Sequence, residues 1–169
     1  MAKEYGSDRL VEQLMQPYAD VKKRVDEMKA SGKYSKVEIT PSGGFLAIEK
    51  GKAKHKPDEI TAAEYMAKAG YQVILKDETG QLTTREGYIY SFTYEQKTPE
   101  KGGASFKKAI EHASDKRADI AVVYDKNENY HRNDVELGIS LYEKHKSHRF
   151  KRIIVISKAG NVYEHSHNK

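Results

Sequence analysis

An acid at Glu86, a β-prone run, and then the triplet Glu95-Gln96-Lys97 are the residues of this chain best placed to do chemistry. In a strand, residues i and i+2 point to the same face, so Glu95 and Lys97 are expected to project side by side. Glu86 opens the same hairpin-like segment and can reach the same spot. Two carboxylates and an ammonium converging at a strand end can hold a divalent cation and polarise an attacking water, which suits phosphodiester cleavage. The plain alternative is a solvated strand face carrying a Glu–Lys pair.

Other groups extend this set. His145 and Arg149 belong to a basic cluster with Lys144, Lys146 and His148 at a helix end. The helix dipole favours cations there, and the same charges can bind phosphate. Ser105 and Lys108 open the helix that follows the triplet, where they either contact phosphate or form an ordinary exposed face; His112 lies one turn beyond Lys108. Tyr88, Tyr90 and Tyr94 alternate along the β-prone run, as sheet packing or as a base-stacking surface. His165-Ser166-His167 reads as a tail. The segment Lys50-Gly51-Lys52-Ala53-Lys54-His55-Lys56-Pro57 reads as a solvated basic linker able to touch a nucleic-acid backbone. Gly102-Gly103 is not a nucleotide fingerprint, because no G-x-G-x-x-G accompanies it.

These residues need elements to hold them. Ser7-Asp8 is a cap for a helix running to about Met28, with Leu10, Val11, Leu14, Val21, Val25 and Met28 at helical spacing. Pro17 should break it near Gln16. Val37–Ile39 and Phe45–Ile48 flank Pro41-Ser42-Gly43-Gly44 and form a hairpin. From Asp58 onward a helix with Ala62, Ala63, Met66 and Ala67 ends at Gly70. Then come a strand at 71–75, a turn at Gly80, a long strand at 87–97, a helix from Ser105, a strand at 118–124, a helix at 134–144, and strands at 152–157 and 162–164. The order α-β-β-α-β-α-β-β implies an α/β fold, a mixed β-sheet with a parallel part flanked by helices.

Length and composition bound the rest. The chain has 169 residues, fits one domain with an N-terminal appendage, and carries a net charge of +5. With a hydrophobic fraction of 37% and a charged fraction of 33%, it is polar for a globular domain, yet Ile120–Val123 and Ile153–Ile156 can build a sheet core. The basic balance suits a polyanionic partner. Cysteine is absent, which excludes disulfides, thiolate metal sites and cysteine nucleophiles. No apolar run reaches the ~18 residues of a membrane span, and the N-terminus lacks a secretory h-region. The expected compartment is the cytoplasm, or a target cell for a delivered domain.

The order of elements and acids resembles the core of the PD-(D/E)XK, or restriction-endonuclease-like, nucleases. That family places an acid at the start of its second strand, an (Asp/Glu)-X-Lys triplet on its third, and often a glutamate on its first helix. Glu86, Glu95, Lys97 and Glu64 fall at matching positions. Residues 56 to 164 are most similar to the C-terminal tRNase-type toxin domains of contact-dependent inhibition (CdiA-like) and mobile-element proteins. The similar stretches are Lys56–Ile60 before an Ala-Ala-Glu helix, Gly70–Val73, Tyr94–Pro99, Ser105–Ile110 and Ala118–Val123. The chain departs from the pattern at Arg85-Glu86, where the family usually has Asp, often after Pro; the extra methylene requires the metal geometry to adjust.

The resemblance implies Mg²⁺ or Mn²⁺ held by Glu86 and Glu95 with help from Glu64, and a water oriented by Lys97. It further implies an RNA or DNA substrate, tRNA-like RNA above all, and an immunity-type protein partner. Residues 56–169 would be the nuclease domain. Residues 1–55 would be a helix-and-hairpin accessory that packs on the core, mediates a homodimer or joins a larger delivery protein. The rival expectation is an inactive nuclease-fold module that binds nucleic acid or protein.

Overall fold

A computed structural model describes residues 9–51, 55–77 and 86–165. The N-terminal helical segment is divided at Pro17 as the sequence predicts: α1 spans Leu10–Gln13 and α2 spans Tyr18–Ser31, with Pro17 as the residue before α2. Proline is tolerated there because the first N–H groups of a helix have no intrahelical acceptor. α2 stops at Gly32, which takes a left-handed φ of 73°. The caps Ser7 and Asp8 lie outside the described residues.

The remaining elements are β1 (Tyr34–Ile39), β2 (Phe45–Glu49), α3 (Pro57–Lys68), β3 (Gln72–Leu75), β4 (Gly87–Ile89), β5 (Phe92–Lys97), α4 (Phe106–Asp115), β6 (Ile120–Asp125), α5 (Arg132–His145), β7 (Arg152–Ser157) and β8 (Val162–His165). The strands lie in one sheet in chain order, β1 to β8. The pairs β2–β3, β5–β6 and β6–β7 are parallel, each joined across a helix, and the others are antiparallel. This is the mixed, helix-flanked α/β sheet that the element order implies. The N-terminal hairpin continues the same sheet, since β2 pairs with β3.

One expected strand is two. The run 87–97 folds back on itself at Tyr90-Ser91, with Ile89 opposite Phe92. Tyr90 takes a φ of 56° there, in place of the Gly or Asn that usually marks such a turn. The fold-back lays Glu86 beside Glu95 from a neighbouring strand.

Alternation along the strands splits the core between the two faces. Leu46, Val73, Leu75, Ile89, Tyr94, Ile120, Val122 and Ile154 pack with α1 and α3. On the opposite face, Ala121, Val123, Ile153 and Val155 pack under α4 and α5, and Phe45 and Ala47 under α2. Each fully buried aliphatic or aromatic side chain here contributes roughly 1.5–3 kcal/mol. Gly138 lets α5 lie against α4, because a Cβ there would stand 2.8 Å from Phe106 Cβ.

Candidate functional site

β4 starts immediately after Glu86, between the end of β3 and the middle of β5. Gly87 pairs with Leu75 on one side and Tyr94 on the other, and Lys76 N–H donates to the Glu86 carbonyl at 3.1 Å. Close approach is possible because residue 87 has no side chain; a Cβ would sit 1.9 Å from the Ile74 carbonyl oxygen. One step before the Gly87–Tyr94 pair, Glu86 faces Glu95, and its backbone N–H donates to Glu95 Oε1 at 2.9 Å. Both residues are buried, at 2% and 5% exposure. Buried carboxylates need compensation, and it arrives from two directions.

The first direction is His55, immediately before α3. Its Nδ1 lies 2.8 Å from Glu86 Oε2 and 3.6 Å from Glu59 Oε1. Its Nε2 lies 2.9 Å from the Lys76 carbonyl. A carbonyl can only accept, so Nε2 carries a hydrogen, and Nδ1 then faces two carboxylates that also only accept. The ring is therefore an imidazolium clamp. Hydrogen bonds to Glu59 and then Glu86 outweigh burial and raise its pKa from 6.5 to about 10. Burial of Glu59 pushes that carboxyl up, but hydrogen bonds from His55 and from the Lys56 N–H outweigh it, and its pKa is lowered. The Lys56 bond, 2.9 Å long, also ties Glu59 to the helix start, where the macrodipole favours an anion.

The second direction is α4, on the face that Glu95 shares with Ala121. His112 Nε2 lies 3.1 Å and Lys116 Nζ 3.7 Å from Glu95 Oε2. Three carboxylates and three basic side chains, two of them histidines, thus meet where β3, β4 and β5 adjoin α3 and α4.

The residues expected from sequence distribute as follows. Glu86 and Glu95 come together. Lys97 stands exposed at the end of β5. Glu64 is not in the cluster: it is paired with Lys36 of the edge strand β1 at 3.6 Å, and Glu59 holds the place on the first helix nearest Glu86. Ser105 is the N-cap of α4, its Oγ accepting the Lys108 N–H at 3.3 Å, and Lys108 is exposed. His145 ends α5 and is exposed. Arg149 donates to the Glu143 and Lys146 carbonyls at 2.9 and 2.5 Å, so its guanidinium closes that helix end. Tyr94 is buried in the core, Tyr90 turns the hairpin and packs against that same core, and Tyr88 lies under Lys76 Nζ at 5.2 Å. Arg85, Lys52, Lys54, Gly80, Ser166 and His167 lie outside the described residues.

His55, Glu59 and Lys116 have no part in the sequence-derived site, and His112 enters it only as the residue one turn beyond Lys108. One signal for Glu59 was available: positions 59, 62, 63 and 66 are spaced i, i+3, i+4 and i+7, which puts Glu59 on the buried stripe and Glu64 off it.

The donor set suits a divalent cation. Ligand atoms of His55, Glu59 and Glu86 all lie within 4.8 Å of one another, and Glu95 stands directly behind Glu86. Carboxylate oxygens serve hard cations, and an imidazole adds a borderline donor.

No family model and no curated protein matches the chain. Among solved structures, the fold is similar to that of a chain in the "CdiA-CT/CdiI toxin and immunity complex from Burkholderia pseudomallei". The TM-score is 0.53 at 18% identity, over 70% of this chain and 98% of that one. Among the described residues, no helix is long and apolar enough to cross a membrane.

Proposed function

We propose that this chain is a metal-dependent nuclease of the PD-(D/E)XK type acting as a toxin domain, with RNA of the tRNA class as its first candidate substrate and DNA as the second. The observation that carries the reading is the juxtaposition of two buried carboxylates, Glu86 and Glu95, on neighbouring strands through the 2.9 Å Glu86 N–H to Glu95 Oε1 bond. The similarity of fold to a chain of a toxin and immunity complex supports it.

In this reading Glu86 and Glu95 provide the oxygen-rich seat for Mg²⁺ or Mn²⁺, and Glu59 takes the part that the sequence assigns to Glu64. When bound, the cation lowers the pKa of a water and offsets charge on the scissile phosphate. Lys97, exposed on the strand that carries Glu95, orients that water and stabilises negative charge as it develops. His112 and Lys116 hold Glu95 in one rotamer. An immunity-type protein that covers this cluster is the proposed partner, and delivery into a target cell the proposed route.

A second reading has an observation of its own. His55, His112 and Lys116 already compensate the carboxylates, as an inactive module that binds nucleic acid without metal would require. Incubation with total RNA and with plasmid DNA, in Mg²⁺, Mn²⁺ or chelator, separates the two. The enzyme cleaves only with metal and loses cleavage in Glu95→Gln and Lys97→Ala. Cleavage unchanged in both variants refutes the assignment. Metal-independent binding with a steep salt dependence and no cleavage establishes the module.

A further inference from the structure

We propose that His55 Nδ1, Glu59 and Glu86 form a binding site for a first-row transition-metal ion of the Mn²⁺, Co²⁺, Zn²⁺ class, with Glu95 in the layer behind it. This ion shares Glu86 with the Glu86–Glu95 seat and takes the His55 nitrogen as a ligand in place of Glu95. The inference rests on the nuclease reading for what the ion is used for, though not for whether it binds.

Four observations carry it. The three ligand atoms come from different elements (the segment before α3, the first turn of α3 and the start of β4), yet lie within 4.8 Å of one another. The imidazole is oriented as metal-binding histidines are, with its other nitrogen donating to a backbone carbonyl, here Lys76 at 2.9 Å. That bond fixes which nitrogen is presented and aims Nδ1 between two carboxylates. The ring is held in place at 5% exposure, while Glu59 at 20% leaves a way in from solvent. Finally, Glu95 is occupied behind the site: Oε1 accepts the Glu86 N–H, and Oε2 faces His112 and Lys116. It steadies the Glu86 backbone, as an outer-layer carboxylate does.

Selectivity follows from ligand chemistry. Mg²⁺ prefers an octahedron of oxygens and keeps much of its water, so an imidazole in the set works against it. Imidazole with carboxylates favours the later first-row ions, with affinity rising from Mn²⁺ through Co²⁺ and Zn²⁺ falling near the top of the series.

The test is titration of the full chain with Co²⁺, followed by visible d–d absorption and by calorimetry, with Mg²⁺ titrated in parallel. The expected result is one Co²⁺ per chain, with binding at least 100-fold tighter than Mg²⁺. His55→Gln and Glu59→Gln should each weaken Co²⁺ by 100-fold or more, and His55→Gln should change Mg²⁺ little. Glu59→Gln is isosteric and partly exposed, so it tests the site even if His55→Gln fails to fold; His131→Gln, at the start of α5, controls for surface histidines. Co²⁺ binding unchanged in both site variants overturns the proposal, as does Mg²⁺ binding tighter than Co²⁺. The two readings fail separately. Co²⁺ binding unchanged in both site variants of a protein that cleaves RNA or DNA with Mg²⁺ overturns this inference and leaves the nuclease standing. His55-dependent Co²⁺ binding in a protein that cleaves neither RNA nor DNA does the reverse.

Discussion

Removing the His55 clamp should expose its contribution as a stability difference with a definite pH dependence. In His55→Ala, Glu86 keeps its backbone bonds but loses the cation 2.8 Å from Oε2, and Glu59 loses the one 3.6 Å from Oε1. Removing one partner of a buried ion pair costs about 3–5 kcal/mol. Linkage gives an independent figure. The folded-state pKa of His55 is raised from 6.5 to about 10, so its contribution is fully present below about pH 6.5. It falls by ~1.4 kcal/mol per pH unit above that and is gone beyond about pH 10, a total of ~5 kcal/mol. Because the pKa is raised, the loss comes as pH rises. The assay is urea unfolding of both proteins in chelator, from about pH 6 to about pH 9. The gap between wild type and variant should be widest at the acid end and narrow steadily; lysines and tyrosines titrate in both proteins and cancel. A gap that stays constant or widens with pH would refute the clamp.

Further expectations concern the frame around the site. Gly138→Val should open the α4–α5 contact, since even a Cβ meets Phe106 Cβ at 2.8 Å and Lys107 N at 2.9 Å; a loss of about 1–3 kcal/mol is expected by urea unfolding. Glu164→Ala should cost about 3–5 kcal/mol, because it removes the buried carboxylate that lies 3.1 Å from Arg152 Nε and accepts from the Leu10 N–H and the Tyr71 hydroxyl. Tyr71→Phe, which removes the hydroxyl that donates to Glu164, should cost about 1–3 kcal/mol in the same measurement. Gly87→Ala should disrupt the β3–β4 ladder, because a Cβ would sit 1.9 Å from the Ile74 carbonyl oxygen; amide exchange at Lys76 and Tyr88 would report it.

How far the site could be read from sequence depended on the range of the interactions involved. Glu95 and Lys97 are two residues apart on a strand, and that alone sets their relation. Glu86 joins them through a hairpin, and the chain shows hairpin character without showing its turn: Tyr90-Ser91 lacks the residues that tolerate positive φ most readily, so the run reads as one strand. Pro17, Gly32 and Pro57 mark helix limits by local sterics, and the structure has helix limits at all three. His55 could not be placed that way. It follows a run of lysines that reads as solvent-exposed, and only the arrival of Lys76 and Glu86 from later strands buries it. Glu59 is intermediate: the helical stripe puts it on the buried face, whereas the Ala-Ala-Glu motif points to Glu64.

The charge arrangement of the cluster constrains how it folds. Glu86 and Glu95 are 2% and 5% exposed, and buried carboxylates need polar or cationic partners close by. Those partners are built in: His55 on one side, the His112 ring and the Lys116 ammonium on the other. A site that depended on a metal for this balance would be loose without it; here the protein's own cations hold each carboxylate in place. The cationic groups also stand in different relations to an incoming ion. His112 and Lys116 contact the outer oxygen of Glu95, and can stay there. His55 Nδ1 occupies the space between Glu59 and Glu86 with its proton, so a metal must take that proton's place. The clamp that secures the fold and the nitrogen offered to a metal are one atom. A variant at residue 55 should therefore change both stability and metal affinity, while variants at His112 or Lys116 should change stability more than metal affinity.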